Sequence, residues 1–285
     1  MKRGRPSLAD VAYLAIAIAF VGLRLFDVPP WDQSVDAYAY WRPLGGGGPY
    51  GDGSTVGAMG AYLYAPAFKL LLLPLGALPW PVFNALWTAL NLGLLRAVAG
   101  RYALPLLLFP PVPFEIVSGN VHLVLAAVAA WGLSRPWLWS IPLLTKVTPG
   151  IGLLWFAVRR EWRPLLAACI LTGLVAAVSV AVTPTWWTDW LAILRDGQSV
   201  PAGTPGWFLP VPLWVRLPAA AALLAWGAWD DRRWTVPVAM VLAMPVLWLN
   251  SLAVLVALVP LARRGHGEVH PGREDRGTLA RTAAW

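Results

Sequence analysis

Long apolar runs, broken by prolines and by short groups of basic residues, limit this chain to a small set of folds. The sequence is 58% hydrophobic and 13% charged, whereas a soluble domain is typically about 25% charged. Apolar segments of this length are stable in a lipid bilayer as helices, because each helix satisfies its own backbone hydrogen bonds. The sequence therefore predicts an all-α polytopic membrane protein, and it excludes a soluble enzyme and a nucleic-acid binder.

The basic residues lie in short clusters between the apolar runs, a pattern that marks cytoplasmic loops rather than a binding patch. The first apolar run, Leu8–Phe26, is not followed by a small-x-small cleavage site, so we expect a retained helix. Its basic flank predicts a cytoplasmic N-terminus for a multi-pass protein of the plasma membrane. The clusters are Lys2, Arg3 and Arg5; Arg159, Arg160 and Arg163; Arg232 and Arg233; Arg263 and Arg264.

The apolar segments give about ten membrane crossings within a single transmembrane domain, residues 1–262. Residues 27–61 form a first external loop and residues 184–206 a second, while the polar tail 263–285 is expected to be cytoplasmic and disordered. The ten segments are Leu8–Phe26, Tyr62–Pro79, Trp80–Ala99, Tyr102–Gly119, Val121–Leu133, Trp137–Val158, Leu165–Val182, Trp207–Trp229 and two short helices that divide Trp234–Leu261 at Pro245.

This count places three arginines in external turns, against the usual distribution of positive charge. An alternative topology makes Tyr62–Pro79 a re-entrant segment and folds Trp137–Val158 back at Lys146, which gives a different number of crossings. The three arginines are Arg96, Arg101 and Arg135.

The first external loop is the richest polar interval of the chain and holds four of its fourteen carboxylates: Asp27, Asp32, Asp36 and Asp52. If the run from Asp36 to Trp41 is helical, Asp36 and Tyr40 share one face. A carboxylate beside aromatic rings at a membrane surface is partly desolvated, which raises its pKa towards the range of a general base. A solvated loop aspartate is the alternative interpretation, and Asp32 is the nearest rival.

Lys146 is a charged residue inside an apolar segment. Such a residue costs about 2.5 to 3.5 kcal/mol at a helix centre, so it usually faces a partner or a water-filled cavity. A cation at this depth suits an anionic ligand such as a lipid phosphate. The alternative is a lysine whose ammonium reaches the headgroups.

A third polar cluster separates two short apolar runs and contains Glu115, Ser118, Gly119, Asn120 and His122. Gly119 permits a close turn, and Asn120 and His122 can form hydrogen bonds with hydroxyls or phosphate. A purely structural turn explains the same residues equally well.

Five short motifs follow one another along the chain: Asp36-x-Tyr38-x-Tyr40, Tyr62-x-Tyr64-x-Pro66, Gly119-Asn120-Val121, Lys146-x-x-Pro149 and Pro245-x-x-Trp248. Taken in this order, they resemble the motifs of the polyprenol-phosphate-mannose-dependent mannosyltransferases of glycosyltransferase family 87. The resemblance implies a C-type glycosyltransferase-like helical bundle whose large first external loop carries the catalytic aspartate.

The resemblance implies an inverting hexosyltransferase that moves a sugar, mannose, from a polyprenyl phosphate donor to a lipid or glycan acceptor on the external face. Asp36 would be the base, because a phosphate leaving group needs neutralisation rather than protonation by a second carboxyl group.

The expected partners are this donor, the acceptor and membrane lipids. No cofactor or metal site is expected, and a divalent-metal requirement is left open. The phosphate-binding residues would be Lys146, Asn120, His122 and Asn250, and the sugar or acceptor contacts Tyr38, Tyr40, Tyr62, Tyr64 and Trp248.

The sequence departs from the family pattern at two positions. Asn250 stands where the family commonly has a histidine, and asparagine cannot exchange a proton near neutral pH. Asn120 stands where glutamine is often found, and the chain is shorter than most members. Two other functions therefore remain as alternatives: a transporter or flippase for lipid-linked sugars, and a catalytically inactive relative.

Overall fold

The computed structural model describes residues 6–26, 34–42, 44, 48–50, 61–196 and 208–264. Most of these residues are helical, as predicted for an all-α membrane protein. Asp27, Asp32 and Asp52, much of the first external loop, residues 197–207 and the tail from 265 onward lie outside the described residues.

The described elements are α-helices of very different lengths, short 3₁₀ helices and two short strands. Two strands, β1 (Phe208–Leu209) and β2 (Leu247–Trp248), pair antiparallel, with Phe208 opposite Trp248. Short 3₁₀ helices cover Leu75–Ala77, Gly100–Tyr102, Pro136–Trp139, Thr148–Leu153 and Leu249–Ala257. The α-helices are α1 (Leu8–Leu25), α2 (Val35–Trp41), α3 (Pro66–Leu72), α4 (Trp80–Ala99), α5 (Ala103–Leu106), α6 (Pro111–Ser118), α7 (His122–Trp131), α8 (Ser140–Leu144), α9 (Leu154–Val158), α10 (Trp162–Val182), α11 (Pro184–Asp196), α12 (Leu213–Trp229), α13 (Thr235–Leu242) and α14 (Leu258–Arg264).

Among the described residues, three helical segments are long and apolar enough to cross a membrane: Leu8–Leu25, Trp80–Leu106 and Trp162–Val182. The pair α6 and α7 makes a fourth if it is counted as one span, although its two helices are bent by 119°. The fold thus has the apolar helices of a membrane protein. The ten predicted segments stay a prediction.

Proline explains why several apolar segments are interrupted, because it lacks the N–H that a continuing helix requires. The segment Trp234–Leu261 breaks next to Pro245, as expected from the sequence: α13 ends at Leu242, β2 follows, and the chain continues as the 3₁₀ helix Leu249–Ala257. The segment Trp137–Val158 is also broken, between α8 and the 3₁₀ helix that begins at Thr148. That break lies at Lys146, where the alternative topology requires the chain to fold back.

Helix α7 lies at the centre of the fold and contacts α4, α8, α13 and the 3₁₀ helix Leu249–Ala257. Its small side chains, Ala126, Ala129 and Ala130, are buried and allow these close approaches. Helix α1 packs along α4, where the Tyr13 hydroxyl donates to the Leu92 carbonyl at 2.6 Å. The same two helices are joined by an ion pair of Asp10 and Arg96, with 2.6 Å between the charged atoms.

Helix α2 rests on the turn that connects α6 to α7. Gly119 ends α6 with φ 69° and ψ 33°, and its N–H donates to the Glu115 carbonyl at 2.8 Å. A Cβ at Gly119 would lie 2.6 Å from the Ala37 Cβ of α2. This position therefore needs glycine for its left-handed backbone and for the close approach of α2.

We predict that Gly119→Ala destabilises the protein by about 1–3 kcal/mol, because the alanine adopts an unfavourable φ and displaces α2. Thermal unfolding of the detergent-solubilised protein measures the change. Gly93→Ala is the matched control: Gly93 lies inside α4 and has nothing within 4 Å of an added Cβ, so alanine there should stabilise the helix by about 0.5–1 kcal/mol. Equal effects of the two substitutions would contradict the close approach at Gly119.

Candidate active site

Helix α2 presents two of the predicted site residues on one face. Asp36 and Tyr40 are one helical turn apart, which confirms the shared face expected from their spacing. Asp36 is half-buried, and Tyr40 is buried at the contact with α4, where its ring meets the Trp87 ring with 5.2 Å between centroids. Tyr38 points elsewhere: its ring packs on Trp41 and Trp80 with centroid distances of 5.6 and 5.4 Å.

A chain of hydroxyl groups connects α2 to the α6–α7 turn. The Tyr40 hydroxyl donates to the Tyr64 hydroxyl at 2.7 Å, and the Tyr64 hydroxyl donates to Asn120 Oδ1 at 3.1 Å. Asn120 Oδ1 also accepts from the Val121 N–H at 2.8 Å. These bonds bring together three motifs that are far apart in the sequence.

Lys146 and Asp36 are electrostatic partners in this region. The Lys146 ammonium lies 5.2 Å from the centre of the Tyr64 ring, a distance at which the ring attracts a cation. Burial raises the pKa of Asp36, while the positive charge of Lys146 and a hydrogen bond from the Asn120 side chain act in the opposite direction. Asp36 thus has the two properties expected of a general base, partial desolvation and a neighbouring cation that keeps its charged form accessible.

Glu115 organises a second, largely buried polar network beside the first. Its two carboxylate oxygens accept from the backbone N–H of His122 at 2.6 Å and contact His122 Nδ1 at 2.7 Å. On the other side of the ring, His122 Nε2 lies 3.4 Å from the Ser251 hydroxyl. Asn250 Nδ2 donates to the same carboxylate at 3.0 Å and to the Ser118 hydroxyl at 3.1 Å.

The two networks meet through charge. Asp36 interacts electrostatically with Lys146, Glu115 and His122, and Lys146 interacts with both carboxylates. Of the predicted phosphate-binding residues, Asn120 forms a hydrogen bond with Asp36 and Lys146 interacts with it electrostatically, whereas His122 and Asn250 belong to the Glu115 network. Their role towards a phosphate stays a prediction.

The remaining predicted contacts lie around this centre in different settings. Tyr62 is fully buried beside Tyr64, with 5.6 Å between the ring centroids, and its hydroxyl donates to the Ala65 carbonyl at 3.2 Å. Trp248 is part of β2, two residues before Asn250. The predicted sugar or acceptor contacts of Tyr38, Tyr62 and Trp248 stay predictions.

Three buried cations adjoin the site and were not identified from the sequence. They are Arg24 in α1, Lys69 in α3 and Arg216 in α12, and none is more than 5% exposed. Arg216 donates to the carbonyls of Leu242 and Met244 at 2.7 and 2.8 Å, and to that of Pro245 at 3.1 Å. It therefore stabilises the turn that leads to Asn250. The signal was present in the sequence, because each cation lies within or at the edge of an apolar segment, as Lys146 does.

Comparison with known proteins identifies related sequences. The model of glycosyltransferase family 87 matches residues 62–273, which include Tyr64, Asn120, Lys146 and Asn250 and begin after Asp36. The polyprenol-phosphate-mannose-dependent alpha-(1-2)-phosphatidylinositol mannoside mannosyltransferase of Mycobacterium tuberculosis is 25% identical over an alignment of 295 positions, gaps included. The alignment covers 87% of this chain and 64% of the relative, so the chain spans just under two thirds of that protein's length. No solved structure matches the chain.

We predict that Glu115→Gln destabilises the protein by about 1–3 kcal/mol, because the amide replaces an accepting oxygen with a donor that faces other donors. The shape of the side chain is kept, so the effect reports the lost acceptor. Thermal unfolding in detergent measures it. Glu161→Gln is the control, because Glu161 forms a partly exposed ion pair with Arg159, which is worth about 0–1 kcal/mol. A Glu115→Gln protein as stable as the control would contradict the network.

Proposed function

The chain belongs to glycosyltransferase family 87, as its motifs predicted, and on this premise we propose that it transfers mannose from a polyprenyl phosphate to a lipid-linked or cell-envelope acceptor. The single observation that carries the proposal is the half-buried Asp36 on α2, whose carboxylate interacts electrostatically with Lys146 and forms a hydrogen bond with the Asn120 side chain, while Tyr64 contacts both Lys146 and Asn120. A base, a cation and an amide donor in one place are what such a transfer needs.

The chemistry of the leaving group explains why one base is enough. A glycosidase expels an alkoxide and needs a second carboxyl group to protonate it. A polyprenyl phosphate leaves as a stable anion, so the site has to stabilise negative charge rather than deliver a proton. In this proposal Asp36 acts on the acceptor, and Lys146 acts on the donor.

The reaction proceeds by a single displacement. Asp36 removes the proton from the acceptor hydroxyl while that oxygen attacks the anomeric carbon of the sugar. The bond between the anomeric carbon and the phosphate oxygen breaks on the opposite face, and its electron pair stays with the polyprenyl phosphate. No covalent sugar–enzyme intermediate forms, so the configuration at the anomeric carbon is inverted.

Lys146 stabilises the departing phosphate, and Asn120 supports it with its amide group. Burial disfavours the charged form of Lys146, and the attraction of Asp36 and Glu115 opposes that cost. The Tyr40–Tyr64–Asn120 hydrogen bonds fix the orientation of the Asn120 side chain, because its Oδ1 accepts from Tyr64 and the Val121 N–H. The amide donors of Asn120 therefore point away from these partners, towards the surroundings of Asp36.

The relative from Mycobacterium tuberculosis suggests the class of substrates. By analogy, the donor of this chain is polyprenyl phosphate mannose and the acceptor is a glycan attached to a lipid. Both substrates have a long apolar part, and the site lies in a protein with membrane-length apolar helices. The reaction would take place at the external face of the plasma membrane, with the N-terminus in the cytoplasm.

We predict that Asp36→Asn abolishes transfer, because the amide has nearly the same shape but cannot accept a proton. The loss should be about 100-fold or more, which is the usual contribution of general base catalysis. Transfer of labelled mannose from polyprenyl phosphate to membrane acceptors by the purified protein measures it. Asp230→Asn is the control, because Asp230 is exposed in the turn between α12 and α13 and contacts Arg232.

Other outcomes of this assay support the alternatives. Full activity of the Asp36→Asn variant would show that Asp36 is not the general base. Exchange of labelled donor across liposomes that is insensitive to this substitution would indicate a transporter or flippase. Absence of both transfer and exchange in the wild-type protein would indicate an inactive relative.

The pH dependence provides a separate test of Asp36 and Lys146. Transfer requires the ionised carboxylate, so activity should fall as the pH drops through the pKa of Asp36, which burial raises. Lys146 opposes this effect, so its removal in Lys146→Met should raise the pKa further. The acid limb of the profile of kcat/KM against pH should then move to higher pH.

The comparison with Lys146→Arg separates charge from shape. Arginine keeps the positive charge, so the acid limb should stay close to its wild-type position even if the overall rate falls. An acid limb that does not move in Lys146→Met would show that another group limits the reaction at low pH.

A further inference from the structure

Helix α2 carries the proposed base but is too short to be stable alone. It has seven residues, whereas isolated helices shorter than about 12–15 residues are marginal even with favourable sequences. Its N-terminal end also lacks a local side-chain cap, because the side chain of its N-cap residue, Ser34, makes no hydrogen bond to the first turn. The position of Asp36 must therefore be set by contacts from other parts of the chain.

Lys69 of α3 supplies these contacts at the C-terminal end of α2. Its ammonium donates to the carbonyls of Tyr40 at 2.7 Å, Arg42 at 2.9 Å and Ala39 at 3.5 Å. These three bonds use all the hydrogens of an ammonium group. A cation is especially effective here, because the carbonyls at the end of a helix carry partial negative charge.

The Tyr62 ring covers Lys69 from another direction, with 5.7 Å between Nζ and the ring centroid. Lys69 is only 2% exposed, so its hydrogen bonds to α2 are shielded from competing water.

Arg24 of α1 holds the opposite end of α2. One of its terminal nitrogens donates to the Ser34 hydroxyl at the start of α2, and its Nε donates to the Thr88 hydroxyl of α4 at 3.0 Å. Its other terminal nitrogen donates to the carbonyls of Ile116 and Val117 at 2.8 and 3.1 Å. The side chain is fully buried. A single guanidinium thus joins the start of α2 to the end of α6, the helix that leads to Asn120.

We propose that Arg24 and Lys69 are positioning residues that clamp α2 at its two ends and thereby hold Asp36 against Asn120 and Lys146. The functional part of this inference rests on the proposed role of Asp36. The structural part does not, because it concerns the order of α2 itself. Neither residue contacts the reacting atoms in this proposal, and each acts through the backbone or cap of α2.

The clamp predicts a particular kinetic effect. If α2 moves by about 1 Å, the base is misplaced and the rate of the chemical step can fall about 100-fold. In the proposed mechanism the donor phosphate is held by Lys146 and Asn120, which do not belong to α2. Loss of the clamp should therefore lower kcat strongly while the KM for the donor changes little.

The test compares four variants of the full chain in detergent micelles: Lys69→Met, Lys69→Arg, Arg24→Met and Arg96→Met. Amide hydrogen exchange of residues 35–42 reports the order of α2, and the mannose-transfer assay reports kcat and KM. Arg96→Met is the matched control, because Arg96 also joins α1 to α4, through Asp10, but does not contact α2.

We expect Lys69→Met and Arg24→Met to accelerate exchange in residues 35–42 about tenfold or more, the factor that corresponds to losing a hydrogen bond to a charged donor. The same variants should lower kcat about 100-fold. Lys69→Arg should recover part of both effects, since it keeps the charge and the donors. Arg96→Met should leave exchange in residues 35–42 and kcat near the wild-type values.

Unchanged exchange of residues 35–42 in both methionine variants would overturn the clamp, and so would acceleration spread evenly over all helices, which indicates general destabilisation. If Lys69→Met does not fold, Lys69→Gln is measured in its place, and the same two results overturn the proposal. A wild-type protein without transferase activity would refute the proposed function alone, because the exchange measurement still decides whether α2 is clamped.

Discussion

An interrupted helix exposes backbone carbonyls that have lost their donors, and in an apolar setting each of them must find another. In this protein, buried arginine and lysine side chains supply those donors. Lys69 satisfies the end of α2, Arg24 the end of α6, and Arg216 the end of α13 and the turn after it. A cation that would be costly alone is thus stabilised by several carbonyl dipoles, and an irregular backbone becomes tolerable inside the fold.

The candidate site depends on this arrangement, because its polar side chains lie where helices are interrupted. Asn120 follows the end of α6, Lys146 lies in the break after α8, and Asn250 follows the turn at Pro245. A regular helix uses its own backbone groups and spaces its side chains evenly along its length. A break in a helix allows side chains from several segments to converge on one place. The backbone carbonyls left free at the break then need hydrogen-bond donors from elsewhere in the protein.

Sequence reasoning identified the parts of the site that depend on local spacing or on the cost of burial. The four-residue spacing of Asp36 and Tyr40 predicted their common face, and the position of Lys146 in an apolar segment indicated an internal partner. It did not identify Arg24 and Lys69, although both lie within or at the edge of an apolar segment, because their partners belong to other helices and most are backbone carbonyls. The bond of Asn250 to Glu115 joins residues 135 positions apart, and the number of membrane crossings depends on how proline-broken segments pack. Neither this hydrogen bond nor the number of crossings can be predicted from the local pattern of residues along the sequence.

Side chains of α1 and α3 anchor α2, and the α1 arginine also bonds α6, so these contacts can hold α2 whatever the length of the segments on either side of it. Those segments can then accept insertions, deletions and substitutions during evolution while the proposed base stays in register with its partners. Related proteins should therefore differ most in the length and composition of the polar segments that flank α2.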